Sequence, residues 1–189
     1  MEQYIEGQLF KSVDFSEKPL PKGEYENCIF DSCFFLNANL AEILFVDCEF
    51  RNCDLSMANI SGTAFRDTQF ATCKLVGLHF ENCNKFLLSM NFEACQLNLS
   101  SFYQLSLKKS KFIDCSLQEV DFTETDLTSA RLHNCDLTGA TFDRTVLEKA
   151  DLRQSYNLSL DPESNRIRKA KFSMPAVLGL LDKYQLEIE

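Results

Sequence analysis

Tryptophan is absent from this 189-residue chain, histidine occurs twice and glycine six times. Each shortage removes a class of chemistry. His79 and His133 stand alone, so neither a histidine-based nucleophile–base pair nor a multi-histidine metal centre can be assembled. The scattered glycines supply no phosphate-cradling loop. No apolar run approaches the roughly 20 residues that span a bilayer, and Met1-Glu2-Gln3 lacks the basic and apolar regions of a secretory leader; the expectation is a cytoplasmic protein without membrane contact. Lys and Arg number 19 against 28 Asp and Glu, and the net charge of −9 disfavours direct binding to nucleic acid phosphates. No catalysis, cofactor or metal is expected.

What is abundant is phenylalanine, and it is placed by rule. Every fifth residue from Ile5 to Phe80 is large and apolar: Ile5, Phe10, Phe15, Leu20, Tyr25, Phe30 and onward without exception. The frame then shifts by two residues and resumes as Leu87, Phe92, Leu97, Phe102 and so on to Leu152, all Leu or Phe. The position two residues earlier is usually small, often Ala, Ser, Thr or Cys, and all nine cysteines occupy it. An odd count argues against a fully paired disulfide framework, and a free cysteine packs as a small buried hydrophobe. Core packing therefore explains the cysteines better than redox or metal chemistry.

A period of five fits neither the 3.6 of a helix nor the 2.0 of a strand. It fits a chain that turns a corner after each short straight segment and points one large and one small residue inward per segment. Identity recurs at twenty: Phe10, Phe30, Phe50 and Phe70 form one column, and Cys33, Cys53 and Cys73, continued by Cys95, Cys115 and Cys135, form another. Twenty residues per coil means a four-sided tube. Hydrogen-bonded coils lie about 4.8 Å apart, so seven or eight of them make a rod of roughly 35–40 Å.

The units Ala38-Asn39-Leu40, Cys53-Asp54-Leu55, Cys135-Asp136-Leu137 and Ala150-Asp151-Leu152 resemble the repeat of the pentapeptide-repeat proteins. The resemblance covers nearly the whole chain. It implies an all-β fold, a right-handed quadrilateral β-helix. It also implies a binding role: some members mimic DNA, occupy the DNA-binding saddle of DNA gyrase or topoisomerase IV, and protect bacteria from quinolones. In several members the C-terminal end forms a dimer.

The expected organisation is a repeat domain over 1–172 and a capping or dimerisation helix with a tail over 173–189. The two-residue slip at 83–87 should bulge outward, with Lys85 or Phe86 at its tip. A loop is expected over 155–166, after which Ile167 and Phe172 resume the pattern. Ser173 then reads as a helix N-cap with Pro175 in the first turn, and Ala176 to Tyr184 as a helix presenting Val177, Leu178, Leu180 and Leu181. This helix would cover an open coil end that otherwise invites edge-to-edge aggregation, and its apolar stripe could also pair with a second copy.

Function must then lie on the outer walls. Two neighbouring walls are acidic, displaying Asp54, Glu119 and Asp136 on one and Glu81, Asp121 and Glu124 on the next. Two readings follow: a protein-interaction scaffold, or a DNA mimic that binds gyrase or topoisomerase IV and confers fluoroquinolone protection. The chain lacks the long projecting loops of many quinolone-protection members.

Overall fold

The computed structural model describes residues 3–187; residues 1–2 and 188–189, the outer limits of the two expected regions, lie outside it. The chain winds as a quadrilateral β-helix of about seven turns, with parallel pairing throughout. The first wall is a sheet of β1 (Gln3–Glu6), β3 (Gly23–Glu26), β5 (Leu44–Val46) and β7 (Ala64–Arg66). The second wall is a sheet of β2 (Leu9–Lys11), β4 (Ile29–Asp31), β6 (Glu49–Arg51), β8 (Thr68–Ala71), β9 (Met90–Glu93), β10 (Lys111–Ile113) and β11 (Arg131–His133). The third and fourth walls, centred on Phe15 and Leu20 in the first coil, are held by single bridges such as Asp54↔Lys74 and Asp121↔Thr141. Partners on neighbouring coils differ by 20 residues, as in Phe10↔Phe30 and Phe30↔Phe50, and by 22 across the slip, as in Phe70↔Phe92.

Why the chain turns every five residues is visible in the backbone. The residue two after most centres adopts the left-handed conformation: Asn27, Asn37, Met57, Leu99, Lys109, Glu119 and Lys149 all have φ between 49° and 64°. That conformation costs a side-chain-bearing residue energy and persists only where its surroundings over-determine it. Here they do, because the corner amides bond to the next coil: Asn37 N–H to Ser56 (3.1 Å), Glu119 N–H to Thr138 (2.8 Å). Asp and Asn one residue before the centre close the opposite side of each corner. Asp14, Asn39, Asp54, Asp121 and Asp136 all accept the N–H two residues on.

The interior is filled by apolar side chains. Phe10, Phe30, Phe50, Phe70, Phe92 and Phe112 form one continuous stack with successive ring centroids 4.7–5.3 Å apart. Rings of adjoining walls meet them edge-on, as Phe45 meets Phe50 at 5.2 Å. The small position two before each centre has a second job besides fitting. Thr63, Thr125, Thr145 and Ser155 each donate a hydroxyl at 2.8 Å to the centre carbonyl 23 residues earlier. Cys53, Cys73 and Cys135 donate their thiols to the same place at 3.3 Å. All nine cysteines are buried and free, and burial pushes the Cys48 thiol up to about 12.

Two expectations need correction. Leu87 is not a core centre: it is 63% exposed and sits in the left-handed region at φ 57°. Residues 85–88 span a corner that two residues span elsewhere, so the surplus swings outward and Leu88 turns back to pack on the core. The C-terminal helix α1 covers only Met174–Leu178, rather than continuing to Tyr184. Ser173 does cap it, accepting the Ala176 N–H at 3.3 Å. It stops at Gly179 because that residue lies flush against the last coil. A Cβ there would stand 1.7 Å from the Leu158 carbonyl oxygen, and the Gly179 carbonyl accepts the Leu160 N–H at 3.1 Å. Lys183 then pins the tail to Asp161 and Glu163 at 2.7 and 2.8 Å. At the other end no described residue covers the first coil, and Ile5 and Phe10 are only half-buried. No helix among the described residues is long and apolar enough to cross a membrane.

Candidate interaction faces

A filled tube has no cleft, so the candidate residues are positioned by the corners. On the third wall, Glu119 occupies a left-handed corner and is exposed, its side chain passing over Gly139 of the next coil. Asp54 and Asp136 stand one before their centres, where their carboxylates also hold the turn. Asp136 is the most committed: it accepts bonds from Gln118 (2.6 Å), the Thr138 hydroxyl (2.7 Å) and Asn157 (2.9 Å). Partial burial works to raise its pKa, but these donors outweigh it and lower it to about 2. On the fourth wall, Asp121 accepts the Thr123 N–H at 2.8 Å. Glu124 is neutralised by Arg144 (2.8 Å) and further bonded by Gln104 (2.7 Å). Glu81 faces His79 at 2.9 Å through one oxygen, while its other oxygen is buried without a partner.

Three of the six carboxylates are brought together. Glu81, Glu119 and Asp121 line a shallow groove of about 500 Å³ along the corner between the third and fourth walls, with His79, Leu99 and Tyr103. Asp54 and Asp136 lie on other coils of the third wall, and Glu124 is outside the groove lining. Leu99 and Tyr103 escaped the charge-based reading. Their signal was available, since both are large apolar side chains at positions the repeat reserves for polar ones. Leu99 is 57% exposed and continues a column through Gly77 to Met57, which is 60% exposed. Gly77 lets the Met57 side chain lie across it, since a Cβ there would stand 2.5 Å from the Met57 sulfur.

At the bulge, Lys85 is exposed and Phe86 is 65% exposed, with the Arg66 guanidinium 5.4 Å from its ring centre. The tip is fixed by Asn84, whose side chain accepts the Phe86 N–H at 2.9 Å. At the capped end, Leu180 packs on the core and Val177 and Leu181 are half-buried, while Met174 and Leu178 on the helix and Tyr184 and Leu186 beyond it are exposed. Among the described residues no three His, Cys, Asp or Glu side chains converge as a metal site requires.

Residues 75–152 match the family model described as a pentapeptide repeat region. No curated protein matches the sequence. The fold is similar to that of trypsin-treated QnrB1, described as a plasmid-mediated fluoroquinolone resistance protein, with a TM-score of 0.62 at 20% identity over 99% of this chain and 92% of that one. HetL, a pentapeptide repeat protein involved in heterocyst differentiation regulation from the cyanobacterium Nostoc, aligns with a TM-score of 0.41 at 15% identity over 91% of this chain and 84% of that one.

Proposed function

We propose, for a chain that is a pentapeptide-repeat protein in fold and in the repeat region it carries, that it is a non-catalytic scaffold gripping a protein partner along its acidic corner. One observation carries this reading: the groove where Glu81, Glu119 and Asp121 surround Leu99 and Tyr103. Protein interfaces need an aromatic or aliphatic anchor that can be desolvated, with charge around it to steer and orient the partner. This corner supplies both. The partner would present a basic rim around an apolar pocket. Affinity capture from the native host with the intact chain, compared with Leu99→Asp/Tyr103→Asp, tests it. One dominant protein should be retained by the former and lost by the latter; equal recovery on both removes the assignment.

A narrower alternative is a DNA mimic that binds DNA gyrase or topoisomerase IV and confers fluoroquinolone protection. The fold likeness to QnrB1 and the acidic third wall favour it. A supercoiling assay with and without a quinolone decides it, and no effect at tenfold molar excess would discard it. A homodimer through Leu178 and Met174 at the capped end is a further part of this reading. Light scattering that stays near 21.7 kDa at high concentration would reject the pairing.

A further inference from the structure

The corner diagonally opposite the acidic groove is basic. In the C-terminal half, the segments 105–114, 125–134, 145–154 and 165–172 build the first and second walls and hold ten Lys and Arg against four Asp and Glu. The intervening segments 95–104, 115–124, 135–144 and 155–164 build the third and fourth walls and hold only Arg144 against seven acids. The two sides cancel within this half, and the chain's net charge of −9 comes from residues outside these segments. An expectation drawn from that net charge does not describe either side.

We propose that the corner between the first and second walls is a binding ridge for the phosphate backbone of nucleic acid. Two parallel columns form it. Lys111 and Arg131 are paired in register on β10 and β11, with Asp151 and Lys171 bridged in turn beyond them. Lys109, Lys149 and Lys169 occupy the adjoining corner positions of the same coils, each in the left-handed conformation with φ 60–64°. These six cations are exposed, and none has an ion-pair partner among the described residues. The nearby acids are already engaged: Asp151 by Arg153 (2.8 Å), Glu148 by Arg166 (2.6 Å) and Asp126 by Lys108 (3.2 Å). From Lys109 to Lys169 is three coils, roughly 14 Å at about 4.8 Å per coil.

Two arguments select a phosphate backbone over a protein. The outward positions of this ridge are Lys, Arg, Ser and one Asp, so it offers no apolar anchor of the kind protein interfaces depend on. Phosphate contacts need none, because counterion release alone supplies the affinity. The acidic corner does not cancel the field. Facing walls are about 10 Å apart before their outer side chains are added, so diagonal corners lie beyond the Debye length of about 10 Å at 0.1 M salt. Binding would be independent of base sequence, since contacts to phosphates carry no sequence information. This inference stands apart from the protein-partner reading, which uses the opposite corner.

Fluorescence anisotropy of a labelled 20-base-pair duplex with the full chain tests it. Binding is expected at 50 mM salt, weakening by up to roughly a thousandfold at 200 mM if all six cations engage, a log–log slope near −5. Lys109→Glu/Lys149→Glu/Lys169→Glu should abolish it, while Lys11→Glu/Lys18→Glu/Lys74→Glu, which changes net charge equally away from the ridge, should leave most of it. Should the first triple variant misfold by circular dichroism, the corresponding Lys→Gln set replaces it and should weaken binding at least tenfold. The proposal is overturned by no binding at 100 µM protein, by equal losses in both triple variants, by binding to phosphatidylserine vesicles but not to the duplex, or by ridge-dependent self-association in light scattering without DNA binding.

Discussion

Replacing Phe50 with alanine removes the middle of the longest aromatic stack and measures how far the interior behaves as one core. Phe50 is fully buried. Its ring lies 4.7 Å from Phe30 and 5.1 Å from Phe70, nearly parallel to both, and meets Phe35 and Phe45 edge-on at 5.9 and 5.2 Å. A buried phenyl ring takes roughly 150–250 Å² out of water, or about 4–6 kcal/mol at about 25 cal/mol per Å². The ladders above and below hold the backbone in place, so the hole cannot collapse and the loss belongs near the top of the usual range of about 3–5 kcal/mol. Phe10 is the internal comparison. It belongs to the same column but is half-buried at the N-terminal end, with one stacked partner, Phe30, at 4.8 Å. Each coil of a solenoid touches only its neighbours, so F10A should loosen the first coil at a cost of about 1–2 kcal/mol while the rest stays folded. Urea unfolding followed by far-ultraviolet circular dichroism gives both numbers. Amide exchange should place the F10A opening within Gln3–Lys11 and the F50A opening on both flanks of coil three. Equal losses in the two variants, or an F50A cost below about 1 kcal/mol, would refute a continuous stacked core.

Thiol chemistry offers a second check: none of the nine cysteines should react quickly with an aromatic disulfide reagent in the native protein, and all nine should react in denaturant, because all are free and buried. A single fast native thiol would contradict the packing described for its column. Acid stability offers a third. Asp136 and Asp151 are both lowered to about 2 in the folded chain, Asp136 by Gln118, Thr138 and Asn157 against the pull of burial, and Asp151 mainly by Arg153. Unfolded aspartates titrate near about 3.9, so this stabilisation is complete above about pH 4 and is lost as the pH falls through about 2. Asp136→Asn should flatten that acid limb, and a carbon-detected titration placing the Asp136 midpoint at the ordinary aspartate value would reject the assigned bonds.

The tube itself was legible because its signal is redundant. Phe, Leu and Tyr mark each centre and Cys, Thr or Ala the small partner, so one unusual residue cannot hide the frame. Leu87 misled for the same reason: it fits the spacing, but the spacing carries no information on how a four-residue corner is traced, and Leu88 packs inward instead. The start of the C-terminal helix is legible in its capping Ser173, but its end is not, because Ala176–Tyr184 has helical periodicity while the stop at Gly179 depends on contact with Leu158, 21 residues away. The acidic walls were legible as charge. The groove was not, because Leu99 and Glu119 share one column only after the coil is closed, and because Asp54, Asp121 and Asp136 serve the turns as well as the surface.

A fold that spends its whole interior on stacking leaves its exterior unusually free, yet regular. Only the residues just before and after each centre can vary without cost to the core, and each variation repeats at one-coil intervals along a straight line. Any charge preference at such a position therefore becomes a column, and any pair of adjoining positions becomes a ridge. That is why opposite charge can be segregated onto diagonal corners of one small rod, Glu81, Glu119 and Asp121 on one side and Lys109, Lys149 and Lys169 on the other. The left-handed corner favours Gly, Asn or Asp, and the chain uses Asn at positions 27, 37 and 52. Met57, Leu99, Glu119 and Arg144 stand at the same kind of corner, so the turn accepts Lys109, Lys149 and Lys169 without requiring them, and their charge is free to serve the outer wall.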